Sequence, residues 1–186
     1  LIAKLSCVIP ALFTMQSKDI LKLTQILGEK FLAQKIILTT IESCTGGMLA
    51  AQLTSISGSS AWYDKGFVTY SNQSKIDYVG VKENTIDKYG AVSQETANEM
   101  ALGAIMHVYD NSPSNFSLSI TGIAGPSGGT KLKPVGTIFF AIASKNNLYH
   151  KEGIIFEHKA LFEGNRAKIR QKAVLFALNQ LLQLTL

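Results

Sequence analysis

The run Lys35-Ile36-Ile37-Leu38-Thr39-Thr40-Ile41 passes through Glu42-Ser43-Cys44-Thr45-Gly46-Gly47 into the helix-periodic segment Met48–Ile56. A short β-branched run is the pattern of a buried strand. The small polar turn stops it, and the segment beyond has helical spacing. Strand, turn and helix in that order are the first half of a βαβ unit, which needs a parallel partner strand and helices covering the sheet. This one feature excludes all-α and all-β architectures.

The remaining segments fit the same frame. Ile20, Leu21, Leu23, Leu27 and Phe31 recur at helical spacing behind Ser17 as a possible cap. Asp64–Tyr70 reads as a second strand, with helical patterns at about Gln73–Val79 and Ser93–Tyr109. Phe116–Ile120 reads as a third strand, and Val135–Ala143 and Leu148–Phe156 as antiparallel neighbours. An amphipathic helix over about Arg166–Leu184, with Val174, Leu178, Leu181 and Leu182 as its stripe, closes the chain. The expected fold class is α/β, a three-layer α/β/α sandwich with a mixed sheet. Leu5–Phe13 has the look of a short signal sequence, but no small-x-small cleavage site follows. Residues 1–14 are therefore read as leader or linker outside the core, and residues 15–186 as a single domain.

Composition limits the partners. Eighteen Lys+Arg against 13 Asp+Glu give a net charge of +5, without the dense basic stripe and interleaved aromatics of a nucleic-acid binder. A small anionic substrate fits that modest excess better than a polyanion. Apolar residues make up 46% of the chain, yet no uninterrupted run approaches the roughly 18 residues that a membrane span requires. Neither nucleic acid nor membrane is expected as a partner. Cys7 and Cys44 are too few for a disulfide framework, which points to a reducing compartment. His107, His150 and His158 show no ligand spacing, so no metal is expected.

Three loops rich in Gly, Ser and Thr lie at strand ends, where open α/β sheets place their ligands. In Ser43–Gly47 the glycines would let backbone approach a ligand, and the following helix would offer free N–H groups to an anion. A helix cap by Ser43 or Thr45 accounts for the same residues. In Ser57-Gly58-Ser59-Ser60-Ala61-Trp62, a serine needs a base to become a nucleophile. Lys75, beyond Tyr70-Ser71-Asn72, could be that base if burial lowered its pKa. Taken alone, the pair is a weak signal, and a turn serine with a surface lysine is the better account of it. The glycines of Thr121–Gly129 could form a backbone anion nest or a plain surface turn. It is neither a P-loop nor a dinucleotide fingerprint.

Taken together, these loops resemble the CinA C-terminal domain family. The likeness rests on Glu42–Gly47, Gly58–Trp62, Gly66–Asn72 with Lys75, Gly90–Ser93, Thr121–Gly129 and Lys133–Thr137, and it runs from about Met15 to the C-terminus. The resemblance implies a nicotinamide-nucleotide amidase that converts nicotinamide mononucleotide to nicotinate mononucleotide and ammonia, without a cofactor, in pyridine-nucleotide salvage in the bacterial cytoplasm. It implies Ser60 as nucleophile, with Tyr70 and Lys75 as its base system. Oxyanion donors would come from around Ser59–Ala61 or a neighbouring Gly loop. The nucleotide pocket would draw on Ser43, Thr45, Gly46, Gly47, Ser59, Thr121, Gly122 and Gly125, with Arg166 on the phosphate. Ser43, Ser59 and Cys44 stand as alternative nucleophiles, and Trp62 or Tyr63 could face the pyridine ring or fill the core. A homodimer is expected. The alternative reading is a non-catalytic nucleotide-binding module of the competence/damage-inducible kind.

Overall fold

The structure is a computed structural model that describes residues 17–106, 113–145 and 153–185. The elements are α1 (Ser17–Gln34), β1 (Leu38–Glu42), α2 (Met48–Thr54), a 3-10 turn (Ser59–Ala61), β2 (Tyr63–Val68), α3 (Asn72–Val79), α4 (Glu83–Tyr89), α5 (Gln94–Met106), β3 (Phe116–Gly122), β4 (Thr137–Ser144), β5 (Ile154–Leu161) and α6 (Arg166–Gln183). The sheet order is β2-β1-β3-β4-β5. β1 runs parallel to β2 and β3, while β3–β4 and β4–β5 are antiparallel. The sheet is mixed and the fold is α/β, as the opening strand–turn–helix requires.

β1 is buried at all five positions because both faces are covered. On one face Leu27, Phe31, Leu49, Leu53, Ala177 and Leu178 carry α1, α2 and α6 onto the sheet. On the other, α5 lies close because its contact residues are small. Ala97, Ala101 and Ala104 are buried, and a side chain at Gly103 would collide with the Val79 carbonyl. The polar positions of β3 also face α5: Ser117 and Ser119 donate to the carbonyls of Ala101 and Ala97. The polar alternation of β3 is thus satisfied by helix backbone, not by water.

The chain turns from β1 outward to β2, then crosses back over β1 to β3. β1 is therefore a switch point of the sheet, and the crevice beyond its carboxyl end is where such sheets take ligands. Ser43–Gly47 leaves β1 at that end, and Ile123–Gly125 leaves β3 beside it.

Two sequence expectations about elements are corrected. The last strand is Ile154–Leu161, not Leu148–Phe156. It is an edge strand, so its alternation of exposed Glu157, Lys159 and Leu161 with half-buried neighbours reads like a loop in sequence. α4 is absent from the sequence expectation; it is a single short element of seven residues holding Ile86 and Thr85 inward. Residues 1–14, His107 and His150 lie outside the described residues.

The start of α2 also differs from expectation. Neither Ser43 nor Thr45 caps it. The buried carboxylate of Glu42 accepts the N–H groups of Leu49 and Ala50, at 3.1 and 2.8 Å. With Met48 N–H donating to Thr45 and Ala51 N–H to Gly47, the first turn of α2 has no donors left for an outside anion. Replacing Glu42 with Ala is expected to cost about 2–3 kcal/mol in chemical denaturation, since it strands buried donors at a helix start. A loss below about 0.5 kcal/mol would show that solvent can serve them instead.

Candidate active site

Lys75 organises the crevice. It sits in the first turns of α3, which starts directly after β2, and helical side chains lean back toward the N-terminus. That geometry sends its ammonium into the end of the sheet, where only 1% of the residue is exposed. Nζ donates to the Thr69 carbonyl at 2.8 Å and the Ser43 hydroxyl at 3.1 Å, with the Tyr70 and Ser71 carbonyls at 3.4 Å. Among the described residues the surroundings offer dipoles but no carboxylate at hydrogen-bond distance of the nitrogen. Burial therefore lowers Lys75 from its ordinary 10.5 to about 8, a shift that the neighbouring Cys44 slightly opposes.

Ser43 follows the last residue of β1, and its N–H donates to the Ile120 carbonyl of the adjacent strand. Its hydroxyl is thus fixed from the backbone side and paired with Lys75 from the other. Beyond it, Gly46 and Gly47 have φ of +59° and +86°, a left-handed path that lets the turn drop into α2. The N–H groups of Thr45 and Gly47 take no hydrogen bond among the described residues.

Ser60, the nucleophile that the resemblance implies, is not at this site. It belongs to the 3-10 turn before β2, whereas Lys75 reaches the carbonyls that follow β2. The six residues of β2 separate them, roughly 20 Å of strand. Two of the expected oxyanion donors there are also spent: Ser59 N–H donates to Ile56 and Ala61 N–H to Gly58. Trp62 and Tyr63 sit at that same far end. Trp62 packs edge-on against Phe31, and the Tyr63 hydroxyl pairs with Thr40. Both are core residues, not ring contacts.

Tyr70 reaches the site with its backbone only. Its carbonyl faces Lys75, but its exposed hydroxyl accepts a hydrogen bond from Arg166 Nη2 at 2.7 Å. Arg166 Nη1 donates to the Gly125 carbonyl at 2.8 Å, so this side chain joins the β2–α3 connection, the loop after β3 and the start of α6. One turn along α6, Arg170 donates to the Thr45 carbonyl at 2.7 Å. Sequence reading missed Arg170, although its i+4 spacing from Arg166 was visible. Thr121 serves as a tie, its hydroxyl donating to the Ala91 carbonyl, and Gly122 lies where any side chain would strike Ile138. Cys44 is buried and pushed up to about 12, chiefly by desolvation, so it remains a thiol.

Three buried polar atoms around this pair have no partner among the described residues: the hydroxyls of Thr45 and Thr69, and Nε of Arg170. Buried polar groups are normally satisfied, and these lie beside a serine, a buried lysine and two arginines. A serine hydroxyl bonded to a buried, low-pKa lysine at the switch point of an α/β sheet is an arrangement in which a serine can be activated by a neighbouring base.

Comparison with known proteins gives the family. The model of the CinA C-terminal domain matches residues 20–185, and the chain belongs to that family. It is 41% identical over 169 residues to the nicotinamide-nucleotide amidohydrolase PncC of Escherichia coli K12, covering 91% of this chain and 96% of that protein. It is 42% identical over 146 residues to a CinA-like protein of Chlorobium chlorochromatii, of whose length the match covers 32%. The crystal structure of the competence/damage inducible protein CihA from Agrobacterium tumefaciens superposes with a TM-score of 0.82 at 38% identity, over 93% of this chain and 99% of that one. The chain is an enzyme of the amidohydrolase class. Among the described residues, no helix is long and apolar enough to cross a membrane.

The lowered Lys75 pKa makes a prediction for stability. The folded state releases this proton near pH 8 and the unfolded chain near 10.5, so between those values the unfolded chain holds more protons and folding gains as pH rises. The stability of wild type relative to Lys75→Met is expected to climb by about 3 kcal/mol across that window and stay flat below it. A difference that does not change with pH would show an ordinary lysine.

Proposed function

We propose that this chain hydrolyses the carboxamide of nicotinamide mononucleotide with Ser43 as nucleophile and Lys75 as its base. The observation that carries the reading is the 3.1 Å contact between Lys75 Nζ and Ser43 Oγ in a buried setting. The PncC relatives supply the substrate, since their name specifies a nicotinamide nucleotide.

Neutral Lys75 accepts the Ser43 proton as Oγ attacks the carboxamide carbon. The negative charge that develops on the carbonyl oxygen needs donors already in place, and the N–H groups of Thr45 and Gly47 suit this role. The Lys75 ammonium then returns its proton to the leaving nitrogen, which departs as ammonia and leaves a nicotinoyl ester on Ser43. Water, deprotonated by the same lysine, hydrolyses the ester to nicotinate mononucleotide and restores the hydroxyl. A lysine near pH 8 suits both halves, being basic enough to accept and acidic enough to give back.

The phosphate falls to Arg166. Two of its five N–H groups are held by Gly125 and Tyr70, which orients the fork and leaves the others for an anion. Tyr70 in this scheme positions Arg166 and takes no proton from Ser43. The guanidinium of Arg170 adds positive charge to the crevice. The first turn of α2, already filled by Glu42, has no part in binding.

Ammonia release from nicotinamide mononucleotide tests the assignment. Ser43→Ala and Lys75→Met are each expected to lose on the order of a thousandfold or more in kcat, as members of a catalytic unit do, while Ser60→Ala keeps turnover. For wild type, kcat/KM is expected to rise with pH through a midpoint at about 8 and level off above it, because only the neutral amine is active. Turnover surviving in Ser43→Ala would contradict the assignment. Tyr70→Phe is expected to raise KM with kcat retained; a fall in kcat at constant KM would instead put the phenol in the proton path.

A further inference from the structure

β5 is one of the two edge strands of the sheet, and an open edge is a row of backbone donors and acceptors that most proteins protect. Its direction can be worked out. Phe162 N–H donates to the Gly136 carbonyl, and antiparallel ladders alternate, so the backbone groups of Ala160 and His158 face β4. Those of Glu157, Lys159 and Leu161 therefore face away from the sheet. Among the described residues no strand pairs with them. Leu161 is 61% exposed, and an open groove of about 390 Å³ lined by His158, Leu161, Phe162 and Phe176 runs along the same edge.

We infer that β5 pairs antiparallel with β5 of a second copy of this chain, about a two-fold axis at His158, joining two sheets into one of ten strands. The charges select that register. With the axis at His158, Glu157 lies opposite Lys159 of the second copy and Lys159 opposite its Glu157, both as hydrogen-bonded pairs using the outward backbone groups. Leu161 then falls opposite Ile155, where the register shift of β5 against β4 ends the regular ladder. Moving the axis to residue 157 or 159 puts Glu opposite Glu, or Lys opposite Lys, and a one-residue slip turns the wrong backbone groups outward.

Within one chain these charges are uncommitted to each other. Glu157 accepts a hydrogen bond from Asn98, and Lys159 lies over the Phe139 ring at 5.7 Å. Among the described residues neither has an opposite charge at salt-bridge distance. Both side chains lie on the α5 face, as cross-strand neighbours must to meet. The other edge offers no such set: β2 has Gly66 in mid-strand, and its Asp64 and Lys65 already pair at 2.8 Å.

Sedimentation equilibrium of the full chain and its variants tests this pairing. Wild type is expected to be dimeric. Lys159→Glu and Glu157→Lys, each of which turns both cross-strand pairs into like charges, are expected to weaken the dimer at least roughly tenfold. The two variants mixed are expected to associate with each other. One copy then carries carboxylates at both positions and the other carries ammoniums at both, so each cross-strand pair is again of opposite charge. The double exchange Glu157→Lys/Lys159→Glu is expected to restore the homodimer. The mixing arm excludes misfolding as the cause of dissociation. A monomeric wild type, a dimer that tolerates both single changes, or two variants that fail to associate on mixing would each overturn the register.

Discussion

A lysine with 1% of its surface exposed and no carboxylate at its nitrogen is the constraint around which this molecule is arranged. Removing an ammonium from water costs several kcal/mol unless dipoles replace the solvent. Here the replacement comes from the turn that precedes α3, whose carbonyls at Thr69, Tyr70 and Ser71 surround Nζ, and from one hydroxyl, that of Ser43. The backbone dipoles are enough to keep the cation in place but not to hold its pKa at the ordinary value. The residual cost appears as a proton that leaves near pH 8. Packing alone would replace such a group with Met or Leu, and a perturbed, buried amine of this kind is the exchange of stability for chemistry that active sites commonly show.

The fold supplies the position. The chain reverses its direction of travel across the sheet at β1, which opens a crevice past that strand, and the parallel neighbours β2 and β3 deliver their following loops to the same end. Glu42 settles what the turn between β1 and α2 can do. By accepting from Leu49 and Ala50, its carboxylate leaves the first turn of α2 with no N–H for an outside anion, and the guanidinium groups at the crevice come from α6 instead. Arg166 and Arg170, one helical turn apart, then tie the loops after β1, β2 and β3 to that helix.

Much of this is legible in the sequence, for identifiable reasons. The β-branched run ending in Gly46-Gly47 can hardly be anything but the start of a βαβ unit, and β3, α5 and α6 follow from their periodicities. β5 is easily misplaced because an edge strand is half in solvent, so its pattern of apolar and charged residues overlaps that of a loop. Strand polarity is what separates Ser60 from Lys75. Ser60 precedes β2 and Lys75 follows it, and residues on either side of one strand lie at opposite ends of the sheet; that signal is present in the sequence, and family likeness outweighs it. The directions taken by the Tyr70 hydroxyl and the Glu42 carboxylate have no local sign, because both partners lie on other elements or beyond an intervening turn.

The most direct test of the Ser43/Lys75 assignment is the site of the covalent intermediate. Wild type mixed with nicotinamide mononucleotide, quenched in acid within the first turnover and mapped by peptide mass spectrometry, is predicted to hold the nicotinoyl nucleotide ester on Ser43. Lys75→Met treated in the same way is predicted to hold none. An ester on Ser60, or turnover that never passes through an acyl-serine, would contradict the account.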